Sequence, residues 1–175
     1  MPIQKADPLL TIAKIIVWFI IGVLAFAAFF VALGLPALAI FNGKVAAELA
    51  ANDAPQNLVW YIAGLLAAVL CLLALALQFF RLLLRIVNSV GAGDPFAPEN
   101  GDRLSAMAWL MLAVNLLALP VAGLAAYIAN TAGEDAANVE ASFDFGGLIL
   151  ILTLFILARV FRHGAAMRED LEGTV

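Results

Sequence analysis

Residues 15–43 read IIVWFIIGVLAFAAFFVALGLPALAIFNG, which is 29 residues without a charged side chain. A helix needs roughly 20 apolar residues to cross a hydrocarbon core of about 30 Å. Residues 54–80 and 104–133 are also uncharged and long enough, and residues 145–158 suffice if the Arg159 guanidinium lies among the lipid headgroups. Each run is continuously apolar, without the alternation of barrel strands, so the sequence predicts four transmembrane helices.

The composition of the whole chain also indicates an integral membrane protein. Of the 175 residues, 65% are hydrophobic and 13% are charged, about half the charged share of a soluble domain. A water-soluble fold of this size could not bury so much apolar surface, which excludes a soluble enzyme domain, a disordered chain and a basic nucleic-acid-binding protein. The single cysteine, Cys71, excludes a disulfide scaffold. We therefore predict an all-α, antiparallel four-helix bundle that forms one transmembrane domain over residues 1–175.

The basic residues predict how the chain is oriented. Only Lys44 lies on the side of the first inter-helix connection, and eight of the nine basic residues lie on the other side: Lys5, Lys14, Arg81, Arg85, Arg103, Arg159, Arg162 and Arg168. Because basic residues concentrate in cytoplasmic loops, both termini are expected in the cytoplasm. The expected spans are about 13–41, 58–80, 105–129 and 145–161, followed by a cytoplasmic helical extension over 162–173.

Small and polar residues predict where the helices pack, since lipid-embedded helices associate through side chains that permit close backbone approach. Within the second span, a small-residue stripe follows steps of three and four: Gly64, Ala67, Cys71, Ala74 and Gln78. In the third span, Asn115 is expected near mid-membrane, and Pro120 is expected to kink the helix because it cannot donate a hydrogen bond. We interpret these seven residues as helix-packing positions. The alternatives are a docking or ligand site at the end of the stripe formed by Gln78, Arg81 and Arg85, and a ligand-sensing or ion site at Asn115.

Residues suited to catalysis are scarce. His163 is the only histidine and is expected to be a solvated interfacial residue, while Cys71 lies within a span as a packing group. The carboxylates Asp94, Glu99 and Asp102 accompany no nucleophile and no second ligand set, so helix capping and solvation explain them. The sequence therefore predicts a non-enzymatic protein with no catalytic residue, no cofactor and no metal site.

Four segments carry a resemblance to a known family. Residues 93–100 read GDPFAPEN and are followed by Arg103-Leu104, the chain opens with DPLL at residues 7–10, and LARVFRHGA at residues 157–165 leads to LEGTV at residues 171–175. With these segments the chain resembles a bacterial family of small four-helix membrane proteins, the domain of unknown function 2975. The resemblance spans nearly the whole chain and implies a multi-pass protein of the bacterial cytoplasmic (inner) membrane.

The resemblance also implies a function, because members of this family are typically encoded beside a small helix-turn-helix regulator of the Cro/CI type. It implies a membrane-anchored regulator or sensor that binds a small cytoplasmic transcription factor and does not itself contact nucleic acid. The expected contact loop consists of Asp94, Pro95, Phe96, Glu99, Asn100 and Arg103. Gly101-Asp102 makes this segment less basic than is typical of the family, which weakens its expected electrostatic contribution.

Two other functions stay open at this point. An accessory structural subunit of a larger respiratory or photosynthetic complex fits the small-residue stripe and the short loops. A small transporter or channel has less support, because no charged residue accompanies Asn115 near mid-membrane and ion pathways usually need one. Membrane lipid is an expected partner under every interpretation, and a homo-oligomer is compatible with each of them.

Overall fold

Helices account for nearly all of the computed structural model, which describes residues 8–51, 54–132 and 145–172. The five helices are α1 (Pro8–Ile40), α2 (Asn42–Ala51), α3 (Leu58–Gly91), α4 (Pro98–Thr131) and α5 (Phe145–Glu172). Of these, α1, α3, α4 and α5 are long and apolar enough to cross a membrane. The chain is therefore an all-α, multi-pass membrane protein, as the sequence predicts.

The helices extend further than the predicted spans. α3 continues past the expected end at residue 80 to Gly91, whereas α5 runs without a break to Glu172, through most of the stretch 162–173 for which a helical extension is expected. Arg81 and Arg85 do not end α3, because the leucines between them, including the buried Leu82, continue an apolar face. The short helix α2 was not predicted. Its alanine-rich sequence has high intrinsic helix propensity, which explains why it forms after α1 ends.

A tight turn joins α3 to α4 and has a specific geometry. Gly93 has a φ angle of 85°, which glycine adopts without the steric cost that other residues meet. The Gly93 N–H donates to the Val90 carbonyl at 3.0 Å, and the Asp94 N–H donates to the Ser89 carbonyl at 3.0 Å. This is the Schellman pattern, which satisfies the last carbonyls of a helix. Pro98, whose fixed φ suits the first helical position, then begins α4.

The described chain divides into two compact units, of which the first contains residues 8–24, 76–112 and 145–172. Ala108 and Ala158 are fully buried in its core, and their small side chains allow α4 and α5 to approach closely. The core consists of six apolar residues from three helices: Leu82, Leu104, Met107, Ala108, Leu154 and Ala158. The first unit is thus held together where α3, α4 and α5 meet.

The second unit contains residues 25–51, 54–75 and 113–132. Its most buried large side chain is Leu58, which is fully buried at the start of α3. The rings of Tyr61 and Tyr127 lie 5.2 Å apart between centroids and connect α3 to α4 within this unit.

The helix α1 is the least packed of the long helices. Only Val17 is buried among its 33 residues. Trp18, Phe19 and Phe26 are 59%, 71% and 66% exposed, so most of the helix presents large apolar side chains outward. Such a surface is stable in contact with lipid, which is as apolar as the side chains themselves.

The core of the first unit can be tested with two methionines. Met107 is 2% exposed, so Met107→Ala leaves a cavity, and we expect a loss of about 2–5 kcal/mol in unfolding free energy. The control Met167→Ala changes a side chain that is 52% exposed and should stay within about 0.5 kcal/mol of the parent. Thermal or denaturant unfolding in detergent measures both variants. Equal stability of the two would show that Met107 does not belong to a packed core.

Candidate contact platform at the turn between α3 and α4

The six residues predicted to form a contact loop lie at one end of the first unit. Asp94, Pro95 and Phe96 belong to the turn, while Glu99, Asn100 and Arg103 belong to the first turns of α4. Of these residues, Asp94 and Phe96 contact the outer part of α5. We refer to residues 86–105 together with residues 158–170 as the turn platform.

Asn100 is the central polar residue of the turn platform and is 0% exposed. Its Nδ2 group donates to Ser89 Oγ at 2.8 Å and to the Pro95 carbonyl at 3.0 Å. Its Oδ1 atom accepts from the Arg103 guanidinium at 2.8 Å. The amide therefore joins the end of α3, the turn and the start of α4, and it leaves no buried polar atom unsatisfied.

This geometry corrects one predicted contact residue. Asn100 cannot touch a partner, because its side chain is enclosed and its polar atoms already have partners within the chain. Arg103 is half-buried and donates to that same amide. Sequence motifs do not distinguish the residues that support the turn from those that face outward.

Two arginines of α5 hold that helix against the turn and α4. The Arg168 guanidinium pairs with Asp94 Oδ1 at 2.6 Å. The Arg162 guanidinium donates to Ser105 Oγ at 2.9 Å and lies 3.6 Å from Asp102 Oδ1. These side chains are about half exposed or more, so each pair stabilises the fold only slightly. Their combined effect is to fix the position of α5 along the platform.

Two glycines allow the closest approaches of the platform. A Cβ atom on Gly101 would lie 2.5 Å from Arg162 Cγ and 3.3 Å from the Ala158 carbonyl oxygen. A Cβ atom on Gly164 would lie 2.8 Å from Phe96 Cδ1. The Phe96 ring thus rests directly on α5, 5.5 Å from the Phe161 ring between centroids. Both glycines stand in the motif-bearing segments, but their packing role was not predicted.

The outer surface of the platform contains two adjoining depressions. A cleft of about 280 Å³ includes Phe96, Pro98 and Glu169 in its lining. A larger groove of about 960 Å³ runs along α5, and its lining is mostly apolar: Phe96, Ile156, Arg159, Val160, Arg162, His163, Gly164, Ala166 and Met167. Phe96 is 42% exposed, so it contributes to both depressions and stays accessible. Over residues 8–51, 54–132 and 145–172, no group of three or more His, Cys, Asp or Glu is placed to hold a metal ion.

The predicted helix-packing residues behave differently from the contact residues. Every member of the small-residue stripe of α3, from Gly64 to Gln78, is exposed, and a Cβ atom on Gly64 would meet nothing within 4 Å. These five residues are therefore left uncovered in the part of the chain that the structure describes, and their role in helix packing stays a prediction. α3 buries larger side chains instead, including Leu58 and Leu82.

The two predicted packing positions of α4 lie within one continuous helix. Asn115 is half-buried, and Pro120 is exposed inside the helix. The proline is thus accommodated without ending α4.

The buried amide of Asn100 can be tested by truncation. Asn100→Ala removes the donors to Ser89 and to the Pro95 carbonyl, and we expect a loss of about 1–3 kcal/mol in unfolding free energy. Asn88→Ala, at an exposed position of α3 in the same platform, is the matched control and should change stability little. Unfolding in detergent is the measurement, and an Asn100→Ala variant as stable as the control would refute the proposed role of the amide.

No curated protein and no solved structure matches the chain. A family model described as "Protein of unknown function (DUF2975)" matches residues 38–175, which contain the whole turn platform and leave out nearly all of α1. Since this match covers well over half of the 175 residues, the chain belongs to the DUF2975 family.

Proposed function

We propose that this protein is a non-enzymatic, membrane-anchored regulator of the bacterial inner membrane that binds a small cytoplasmic helix-turn-helix transcription factor on the turn platform. The observation that carries the proposal is an accessible apolar surface on the turn platform, where the end of α3, the start of α4 and the outer part of α5 are held together by side-chain contacts. The resemblance to a family encoded beside such regulators supplies the kind of partner.

The platform projects beyond the membrane-spanning part of the helices. Leu82 and Ala158 belong to one core cluster, and the adjacent Arg81 and Arg159 mark a similar depth at the expected membrane boundary. From Leu82 to Gly91, α3 rises by roughly 14 Å at 1.5 Å per residue. The turn therefore lies outside the hydrocarbon, on the side of the membrane that the basic residues predict to be cytoplasmic.

The projecting surface is suited to a protein partner. Phe96 and Met167 lie at the part of the groove farthest from the membrane. Both are large apolar side chains, yet they are 42% and 52% exposed there. Exposed apolar side chains beside a groove are typical of sites that receive an amphipathic helix. We define the contact surface as the residues that face outward around this end: Phe96, Pro98, Glu99, Met167 and Glu169.

The charge of the contact surface supports sequestration of a DNA-binding protein. Glu99 and Glu169 are exposed on the platform. The face with which a helix-turn-helix protein grips DNA is basic, so acidic side chains beside an apolar groove are complementary to it. A regulator bound in this way is held at the membrane and kept off DNA.

The contact surface can be tested with substitutions that leave the platform intact. The full chain in lipid nanodiscs is titrated with the purified helix-turn-helix protein encoded next to it. We expect the double variant Met167→Glu, Glu99→Lys to bind at least about tenfold more weakly, because both positions are exposed and neither supports the turn. Gln56→Glu, an exposed position before α3, is the control and should bind like the parent. Undiminished binding by the double variant would refute the proposal.

A second candidate function is an accessory subunit of a larger membrane complex. The observation that favours it is the small-residue stripe of α3, which has the spacing of a helix-packing face and is exposed at all five of its positions. Such a face fits a helix of a neighbouring membrane protein.

The lone cysteine allows this second function to be tested. Cys71 lies on the stripe and is exposed, so it can carry a photoreactive maleimide in native membranes. An accessory subunit should crosslink from Cys71 to a membrane protein in stoichiometric yield. The control moves the cysteine to exposed Leu116 of α4 (Cys71→Ser, Leu116→Cys), which should crosslink far less. Crosslinks to lipid alone from both positions would exclude the stripe as an interface.

A further inference from the structure

We infer that the membrane-proximal half of the α5 groove binds the headgroup of an anionic phospholipid, with Arg159 and His163 holding its phosphate. The inference concerns a different part of the groove from the contact surface. It does not depend on the regulator function.

The basic residues of α5 divide into two kinds. Arg162 and Arg168 are used within the chain, since they pair with Asp102 and Asp94. The side chains of Arg159 and His163 are exposed and make no hydrogen bond or ion pair with any residue that the structure describes. They are four residues apart, so they lie one helical turn, about 6 Å, from each other on the same face. That spacing allows both to donate to one phosphate group.

The groove that contains this pair is continuous with the expected membrane. The uncharged run of α5 ends at Ala158, so Arg159 lies where hydrocarbon gives way to headgroups. Ile156, one turn earlier, lines the same groove and is 55% exposed. An acyl chain can therefore pass over Ile156 while its phosphate lies between Arg159 and His163.

The lining of the groove matches the chemistry of such a lipid. Its three titratable lining residues are all basic, and none of its lining residues is acidic. The remaining lining is apolar and includes the exposed Val160, which follows Arg159 in the chain. A phosphodiester next to an acyl chain carries the same combination of negative charge and apolar surface, whereas a free phosphate would leave the apolar part of the groove unfilled.

The chain contains a matched control for this site. Arg81 and Arg85 are also exposed basic residues four positions apart, and Arg81 adjoins the same core cluster as Arg159. Neither lines the α5 groove. General attraction of basic residues to an anionic leaflet would act on Arg81 and Arg85 at least as strongly as on Arg159 and His163. A specific site would act on Arg159 and His163 only.

Lipid binding is measured by native mass spectrometry of the full chain in neutral detergent, titrated with phosphatidylglycerol and, separately, with phosphatidylcholine. We expect preference for phosphatidylglycerol, and a loss of about tenfold in its affinity for the double variant Arg159→Gln, His163→Gln. Arg81→Gln, Arg85→Gln should retain the parent affinity. Val160→Glu, which adds an anion at an exposed position that lines the same groove and follows Arg159 in the chain, should abolish the preference.

Three outcomes would overturn the inference. Equal losses of phosphatidylglycerol affinity in the two double variants would show that general surface electrostatics explains the binding. Equal binding of both lipids by the parent would show that the charge of the headgroup does not determine binding. Displacement of phosphatidylglycerol by millimolar inorganic phosphate would assign the site to a free anion. Binding of the helix-turn-helix protein, measured on the same variants, is expected to be unchanged, so failure of the lipid site and failure of the regulator function are distinguishable.

Discussion

Hydrogen bonding of the backbone in a medium without water is the constraint on which this structure depends. Each peptide group in the hydrocarbon must find a partner within the chain, which restricts an open, four-span protein to helices. α3 and α4 each run for 34 residues, so their backbone groups stay paired well past the expected membrane boundary. The same rule explains the turn between them. The positive φ angle of Gly93 lets N–H groups of the turn donate to the last carbonyls of α3, three and five residues earlier in the chain.

Where the helices leave the hydrocarbon, a different balance of forces holds them together. In the core of the first unit, apolar contact and the small side chains of Ala108 and Ala158 determine the spacing. Beyond it, polar side chains connect the helices. The Asn100 amide joins α3 to α4, Arg162 joins α5 to α4, and Arg168 joins α5 to the turn. Each ion pair is weak by itself in water. The platform has one defined arrangement because the buried Asn100 amide, which has few alternative partners, fixes the turn relative to α3 and α4. The weaker ion pairs then support the position of α5.

The sequence predicted the helical class, the four spans and the family, because these depend on long uncharged runs and on contiguous motifs. It predicted less well which face of a helix is covered. Gly64 and Ala67 suggested close packing, but packing requires a partner helix opposite the stripe, and spacing within one helix does not reveal where its neighbours lie. Asn100 was misassigned for a related reason: a motif shows that a residue matters, whereas burial and hydrogen-bond partners decide whether it supports the fold or faces outward.

The loose packing of α1 has a consequence for how this protein can diverge. A buried residue must preserve both volume and shape, but only Val17 of this helix is under that restriction, and the family match begins at residue 38. The remaining positions need only stay apolar and helical, a requirement that many sequences meet. Mutations should therefore accumulate faster along this first span than around Gly101 or Gly164, where a single added methyl group would collide with a neighbouring side chain.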